Sequence, residues 1–109
     1  MPQNFRRYIA RNTGTSPATI FTADSYDTVI GIRCANVHAS SSANVDVYIN
    51  DGSNDYYLIK NAPIPAGSSL ELVDGGAKFV VDTGDVLKVV SSVASSIDTW
   101  VSVVDAISV

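Results

Sequence analysis

The sequence has little of what most catalytic and metal sites are made from. Among 109 residues there is one cysteine, Cys34, and one histidine, His38. A single cysteine excludes a disulfide within the chain, and one residue of each type leaves zinc short of ligands. A catalytic triad needs a base oriented by a carboxylate, and nothing near His38 indicates that arrangement. No glycine-rich segment continues into the Lys-Ser/Thr of a phosphate-binding loop. We therefore predict a non-enzymatic protein with no catalytic residue, no metal and no cofactor.

Charge is also scarce. Charged residues make up 17% of the chain, with a formal net charge of −4. Nucleic-acid affinity depends on phosphate contacts, so we expect no direct nucleic-acid partner despite the cluster of Arg6, Arg7 and Arg11. No run approaches the roughly 18 apolar residues of a membrane span. Residues 1–4 lack the apolar stretch of a signal peptide. We expect synthesis in a cytosol and no membrane partner.

Alternation with a period of two is abundant. Val45, Val47 and Ile49 alternate with Asp46 and Tyr48, as in a half-buried strand. Clusters of turn-forming residues recur roughly every 8–12 residues, which predicts about eight or nine short strands. We predict a single all-β domain over residues 1–109, folded as an antiparallel β-sandwich. A jelly-roll and an immunoglobulin-like Greek-key strand order both remain open.

The turn clusters set the bounds of the predicted strands. Pro63–Gly67 contains two prolines that cannot donate to a strand ladder, which predicts a crossing segment or an edge. Asn50–Asp55 predicts a hairpin loop with positive φ at Gly52. Its oxygen-rich side chains could hold calcium, although Asx-turn hydrogen bonds explain the same residues. The predicted strands are Arg6–Asn12, Ala18–Thr22, Thr28–Val37, Asn44–Asn50, Tyr56–Asn61, Ser69–Val73, Lys78–Val81, Val86–Ser91 and Ile97–Val104.

Aromatic side chains supply candidate interface residues. Tyr56 and Tyr57 are adjacent on a predicted strand, so their side chains face opposite sides and one of them is expected to be exposed, or buried only by a partner. Trp100 lies on the second face of the closing strand, which is partly apolar on both faces, as in a strand covered on both sides or one at a subunit interface. We also expect residues 1–12 to form an arm that contacts a neighbouring subunit. The predicted interface residues are Arg6, Arg7, Tyr8, Tyr56, Tyr57 and Trp100.

The order of turn motifs has a counterpart in a known group of proteins. Residues 51–105 contain a Pro-x-Pro-x-Gly-x-Ser-Leu crossing, a short hairpin, Thr83-Gly84-Asp85 before an apolar strand, Ser-rich spacing and a closing amphipathic strand. The opening YIARNTGTSPATIFTADSYDTVIGIRCANV has a tyrosine-bearing strand and a Thr-rich hairpin before an apolar strand. Both stretches resemble small virion structural proteins of tailed bacteriophages, especially marine and freshwater phages.

This resemblance implies a β-sandwich that assembles in symmetric copies on a phage particle, as capsid decoration (cement) or in the neck or tail. It implies localisation to the virion after synthesis in the host cytoplasm. The implied partners are further copies of the chain and other virion proteins, such as major capsid or tail proteins. The alternative is a glycan- or receptor-binding module at a tail tip, with a Tyr or Trp platform beside the Asn50–Asp55 loop.

Overall fold

The computed structural model describes residues 4–23, 27–72 and 79–105, and among them it contains strands, turns and loops but no helix. The all-β prediction is therefore confirmed. The strands are β1 (Asn4–Thr13), β2 (Ala18–Thr22), β3 (Asp27–Asn36), β4 (Ala43–Asn50), β5 (Asp55–Ile64), β6 (Ser69–Glu71), β7 (Phe79–Val81), β8 (Val86–Ser91) and β9 (Ile97–Asp105).

The strands form two antiparallel sheets. Sheet A has the order β1-β9-β3-β6, with β7 also paired to β3, and sheet B has the order β2-β8-β4-β5. β7 pairs with the first residues of β3 and β6 with its last, so β6 and β7 together occupy one strand position. When β6 and β7 are counted as one strand, β1 pairs with β9 and β2 pairs with β8. In the same way β3 pairs with β6 and β7, and β4 pairs with β5. This is jelly-roll order, which decides against the immunoglobulin-like alternative.

The core fills the space between the two sheets. Alternate residues of the central strands point inward, and Val45, Val47, Val101 and Val103 are all 0% exposed. Each fully buried aliphatic side chain of this kind contributes roughly 1.5–3 kcal/mol relative to an exposed one. Cys34 lies among them, and its burial raises the pKa of the thiol from 9.0 to about 11. Cys34 is thus a small residue of the core.

β5 is the edge of sheet B, and the prolines explain its position. Pro63 pairs with Asn44 of β4 on one side, and the other side of β5 has no strand partner among the described residues. An edge strand tolerates proline because the missing N–H faces away from the ladder. The prediction of an edge at Pro63 is confirmed, although the strand continues to Ile64.

Candidate interface on the outer face of sheet A

Sheet A presents large apolar side chains on the side away from the core. We call this side the outer face of sheet A; it comprises the outward residues of β1, β9, β3, β6 and β7. Phe5 is 73% exposed, Val80 64%, Ile9 52% and Trp100 50%. A sheet face in contact with water usually carries polar residues opposite the core positions. This face therefore departs from the pattern of a solvated sheet.

One row of the outer face is apolar at both ends. The strand register places Phe5 of β1 beside Val104 of β9, Val104 beside Thr28 of β3, and Thr28 beside Val80 of β7. Neighbouring strands lie about 4.8 Å apart, so the four side chains span about 14 Å across the sheet. Phe5 and Val80 mark the two edges of this row.

A second row runs through Trp100. Ile9 lies beside Trp100, Trp100 beside Arg33 of β3, and Arg33 beside Glu71 of β6. The guanidinium of Arg33 contacts Glu71 Oε1 through Nη2 at 2.9 Å and Nε at 3.0 Å. The guanidinium carbon of Arg7 lies 5.4 Å from the centre of the Trp100 ring. Exposed ion pairs contribute little to folding stability, so the Arg33–Glu71 pair adds charge to this row but little to the free energy of folding.

Trp100 forms a ridge between two depressions. On one side an open groove of about 590 Å³ lies along Ile9, Ala10 and Asp98, and on the other a hollow of about 400 Å³ lies beside Gly31 and Ser102. Both reach Trp100 and Arg33, and their other lining residues are Arg11, Ala35, Thr99 and Glu71. Trp100 is 50% exposed at this ridge, and the Arg7 guanidinium covers part of its ring.

The structure brings together only part of the predicted interface set. Arg7 and Trp100 lie on the outer face of sheet A and contact each other. Tyr8 stacks on the buried ring of Phe21, with centroids 4.5 Å apart, and packs against the core. Arg6, on the same strand, is exposed.

Tyr56 and Tyr57 lie on the other sheet, on edge strand β5. They are 56% and 44% exposed, so both tyrosines, and not one alone, are accessible. Tyr57 packs against Tyr48 with ring centroids 5.0 Å apart, and the ammonium of Lys60 lies 4.4 Å from its ring centre. These neighbours compete with any sugar for the ring of Tyr57.

Residues 4–12, the described part of the predicted arm, belong to β1. β1 pairs with β9 from Asn4 to Thr13, with an irregularity between Ala10 and Thr13. There the backbone N–H of Asn12 donates to Asp98 Oδ1 at 2.8 Å. The segment is therefore the edge strand of sheet A, and its contact with a neighbouring subunit stays a prediction.

Local hydrogen bonds occupy the polar side chains of the Asn50–Asp55 loop. Asp51 Oδ1 accepts the backbone N–H groups of Ser53 at 2.9 Å and Asn54 at 2.8 Å. These bonds, that of Asn54 first, lower the pKa of the Asp51 carboxyl. Gly52 has φ of 101°, as predicted. The loop forms the Asx-turn interactions that the sequence offers as the alternative to calcium.

His38 has a role in loop geometry. Its Nδ1 accepts the backbone N–H groups of Ser40 at 3.2 Å and Ser41 at 3.0 Å. Its own backbone N–H donates to Oδ1 of buried Asn36 at 2.9 Å. The imidazole therefore holds the serine-rich loop through its backbone.

Five members of the candidate interface were not predicted from the sequence: Phe5, Ile9, Arg33, Glu71 and Val80. One signal was available, because Phe5, Arg7, Ile9 and Arg11 alternate along a strand and so share a face. Arg33, Glu71 and Val80 join that face only through pairing between distant segments. Sequence spacing does not reveal such pairing.

Comparisons with known proteins leave the chain without an assigned family: no family matches it, and no curated protein matches it. Within residues 4–23, 27–72 and 79–105, no three His, Cys, Asp or Glu side chains cluster closely enough to hold a metal ion. The described part of the chain also contains no helix long and apolar enough to span a membrane.

Proposed function

We propose that this chain is a non-enzymatic structural subunit of a tailed-phage virion, assembled in symmetric copies on the capsid surface or in the neck or tail. The observation that supports this most is the outer face of sheet A, where Phe5, Ile9, Val80 and Trp100 are each at least half exposed. Exposed apolar patches of this kind mark protein-interaction sites in soluble proteins.

Symmetric assembly fits the chemistry of this surface. Copies of one chain bury the same patch many times, so even a modest contact becomes effective in a closed particle. Jelly rolls occur in viral capsid and lectin domains, among others, so the fold is compatible with the proposal but does not by itself define the function. Interfaces also favour Trp and Arg at their centres, and Trp100 with Arg7 and Arg33 matches that composition.

The experiment is quantitative mass spectrometry of purified particles of the phage that encodes the chain, counting copies per particle. Hundreds of copies would support a shell or tail-length component, and a few multiples of three, five or six would support a vertex, neck or baseplate component. Absence from the particle would overturn the proposal. A glycan array run in parallel, with Tyr57→Ala as the control, would identify the tail-tip alternative if wild-type binding disappears in that variant.

A further inference from the structure

We infer that the outer face of sheet A binds the same face of a second copy of this chain, about a two-fold axis parallel to the strands between β9 and β3. This inference rests on the proposed self-assembly and names the surface and geometry of one contact in it. In this arrangement β1 of each copy lies over β6 and β7 of the other, and β9 lies over β3.

The apolar row from Phe5 to Val80 is complementary to the same row of the second copy when the strand order is reversed. Rotation about this axis reverses the order of strands and keeps each row opposite itself. Phe5 then lies over Val80 of the second copy, and Val104 lies over Thr28. The two most exposed large side chains of the face, at 73% and 64%, thereby cover each other twice in one dimer. A two-fold contact requires this kind of self-complementarity.

The charges select the direction of the axis. The β1 side of the face carries Arg7 and Arg11, and the β6 side carries Glu71. An axis parallel to the strands places Glu71 of each copy over Ile9 of the other, with Arg7 as the next outward residue of β1. An axis perpendicular to the strands would instead place β1 over β1, arginines over arginines. Like charges in apposition oppose association, so the parallel axis is favoured.

The Trp100 ridge has a matching hollow. β9 of one copy lies over β3 of the other, so Trp100 meets the hollow of about 400 Å³ beside Gly31 and Arg33 of the second copy. Glu71 already neutralises that Arg33. A guanidinium stacked on an indole is a favourable cation–π contact, and Gly31 leaves room for the ring edge.

The contact is small. Three strand spacings of about 4.8 Å, and the six residue steps from Asp98 to Val104 at about 3.4 Å each, give a footprint of about 15 by 20 Å. This footprint is smaller than that of stable specific interfaces, so we expect dimers only at high micromolar concentration. Further contacts in a closed assembly would strengthen the association.

Paired cysteines test the geometry. Within one chain, positions 5 and 80 are three strand spacings apart, about 14 Å, which is too far for a disulfide. In a Cys34→Ala background, Phe5→Cys with Val80→Cys is expected to give a disulfide-linked dimer on mild oxidation. Two controls are included. Phe5→Cys with Arg11→Cys would form a linked dimer about the perpendicular axis, and Phe5→Cys alone measures the dimer formed by random collision. A disulfide-linked dimer from Phe5→Cys with Val80→Cys, and from neither control, supports the inference. If this pair gives no dimer, or if a control gives as much dimer, the inference is overturned.

Sedimentation equilibrium provides a measurement without oxidation. We expect wild type to dimerise at high micromolar concentration and Trp100→Ala to weaken association at least about tenfold, as for central interface tryptophans. Leu58→Ala, which truncates an exposed apolar side chain on β5 of sheet B, should associate like wild type. A monomeric wild type at about 1 mM, or unchanged association of a folded Trp100→Ala, overturns the inference. If the chain is abundant in particles but these tests fail, the virion role stands and this contact is wrong.

Discussion

The two sheets share one core but present different outer faces. On sheet B the outward positions of β2, β8 and β4 include Thr19, which is exposed, and Lys88 and Asp46, which are half-buried. Asp46 Oδ1 accepts the backbone N–H of Asn61 on β5 at 2.7 Å. On sheet A the corresponding surface carries Trp100 and three other large apolar side chains. The outward aromatic residues of sheet B, Tyr48 and Tyr57, lie together on β4 and β5. The exposed apolar residues of sheet A instead extend from β1 to β7.

The β2, β8 and β4 positions of sheet B show that outward residues of this sandwich can be polar. The composition of the outer faces is thus separate from the packing of the core. The apolar residues outside sheet A are therefore not explained by the core. The following predictions test that separation, in decreasing order of effect.

The largest expected effect is a loss of folding stability at one of two isoleucines of sheet A and not at the other. Ile32 is 0% exposed on the inner face and Ile9 is 52% exposed on the outer face. Ile32→Ala should lower the free energy of unfolding by about 2–5 kcal/mol, since it removes buried volume. Ile9→Ala should change it by less than about 0.5 kcal/mol in the monomer. Urea unfolding at low protein concentration measures both, and equal losses would show that the outer face stabilises the fold.

The second prediction concerns the inner side of sheet A at alkaline pH. Burial raises the folded-state pKa of Cys34 from 9.0 to about 11. The folded state thus holds the thiol proton more tightly, so this stabilisation is complete below pH 9 and is lost as pH rises towards 11. Between pH 8 and pH 10.5, wild type should lose about 2 kcal/mol more than Cys34→Ala in urea unfolding. Parallel pH profiles for the two proteins would contradict a desolvated thiol.

A third prediction contrasts one glycine from each sheet region. Gly52, in the β4–β5 hairpin of sheet B, has φ of 101°, a conformation that side chains disfavour. Gly52→Ala should lower the free energy of unfolding by about 1 kcal/mol. A Cβ at Gly31 on sheet A would come no closer than 3.8 Å to Glu71 Oε2, so Gly31→Ala should change stability by less than about 0.5 kcal/mol. Thermal unfolding ranks the two variants, and the reverse order would refute the backbone argument.

The smallest effect is expected in the same hairpin on acidification. Backbone hydrogen bonds from Asn54 and Ser53 lower the pKa of Asp51. This stabilisation is present above the unfolded-state pKa and is lost as pH falls through the lower folded-state value. In an NMR titration the amide protons of both donors should follow the Asp51 carboxyl, and Asp51→Asn should abolish that transition. Amide shifts that persist in the variant would assign the transition to another group.

Much of the fold was predictable, because strands and turns are local. β2 and β8 begin and end at the predicted residues, since alternation and turn residues define a strand without reference to its neighbours. The strand order was not predictable, because Phe5 and Val104 pair across nearly the whole chain. The candidate interface divides in the same way. Trp100 was found from its own strand, whereas Arg33 and Glu71 required knowledge of which strands meet.

Jelly-roll pairing also constrains the order in which the chain can fold during synthesis. β8 and β9, the last two strands of the jelly roll in chain order, occupy interior positions: β8 lies between β2 and β4, and β9 between β1 and β3. β1 therefore waits for a partner made about ninety residues later. Until then its alternating Phe5, Ile9 and arginine side chains remain without a sheet. Nascent chains that end before β9 would lack the centre of sheet A, so complete folding is expected only after the whole jelly roll has left the ribosome.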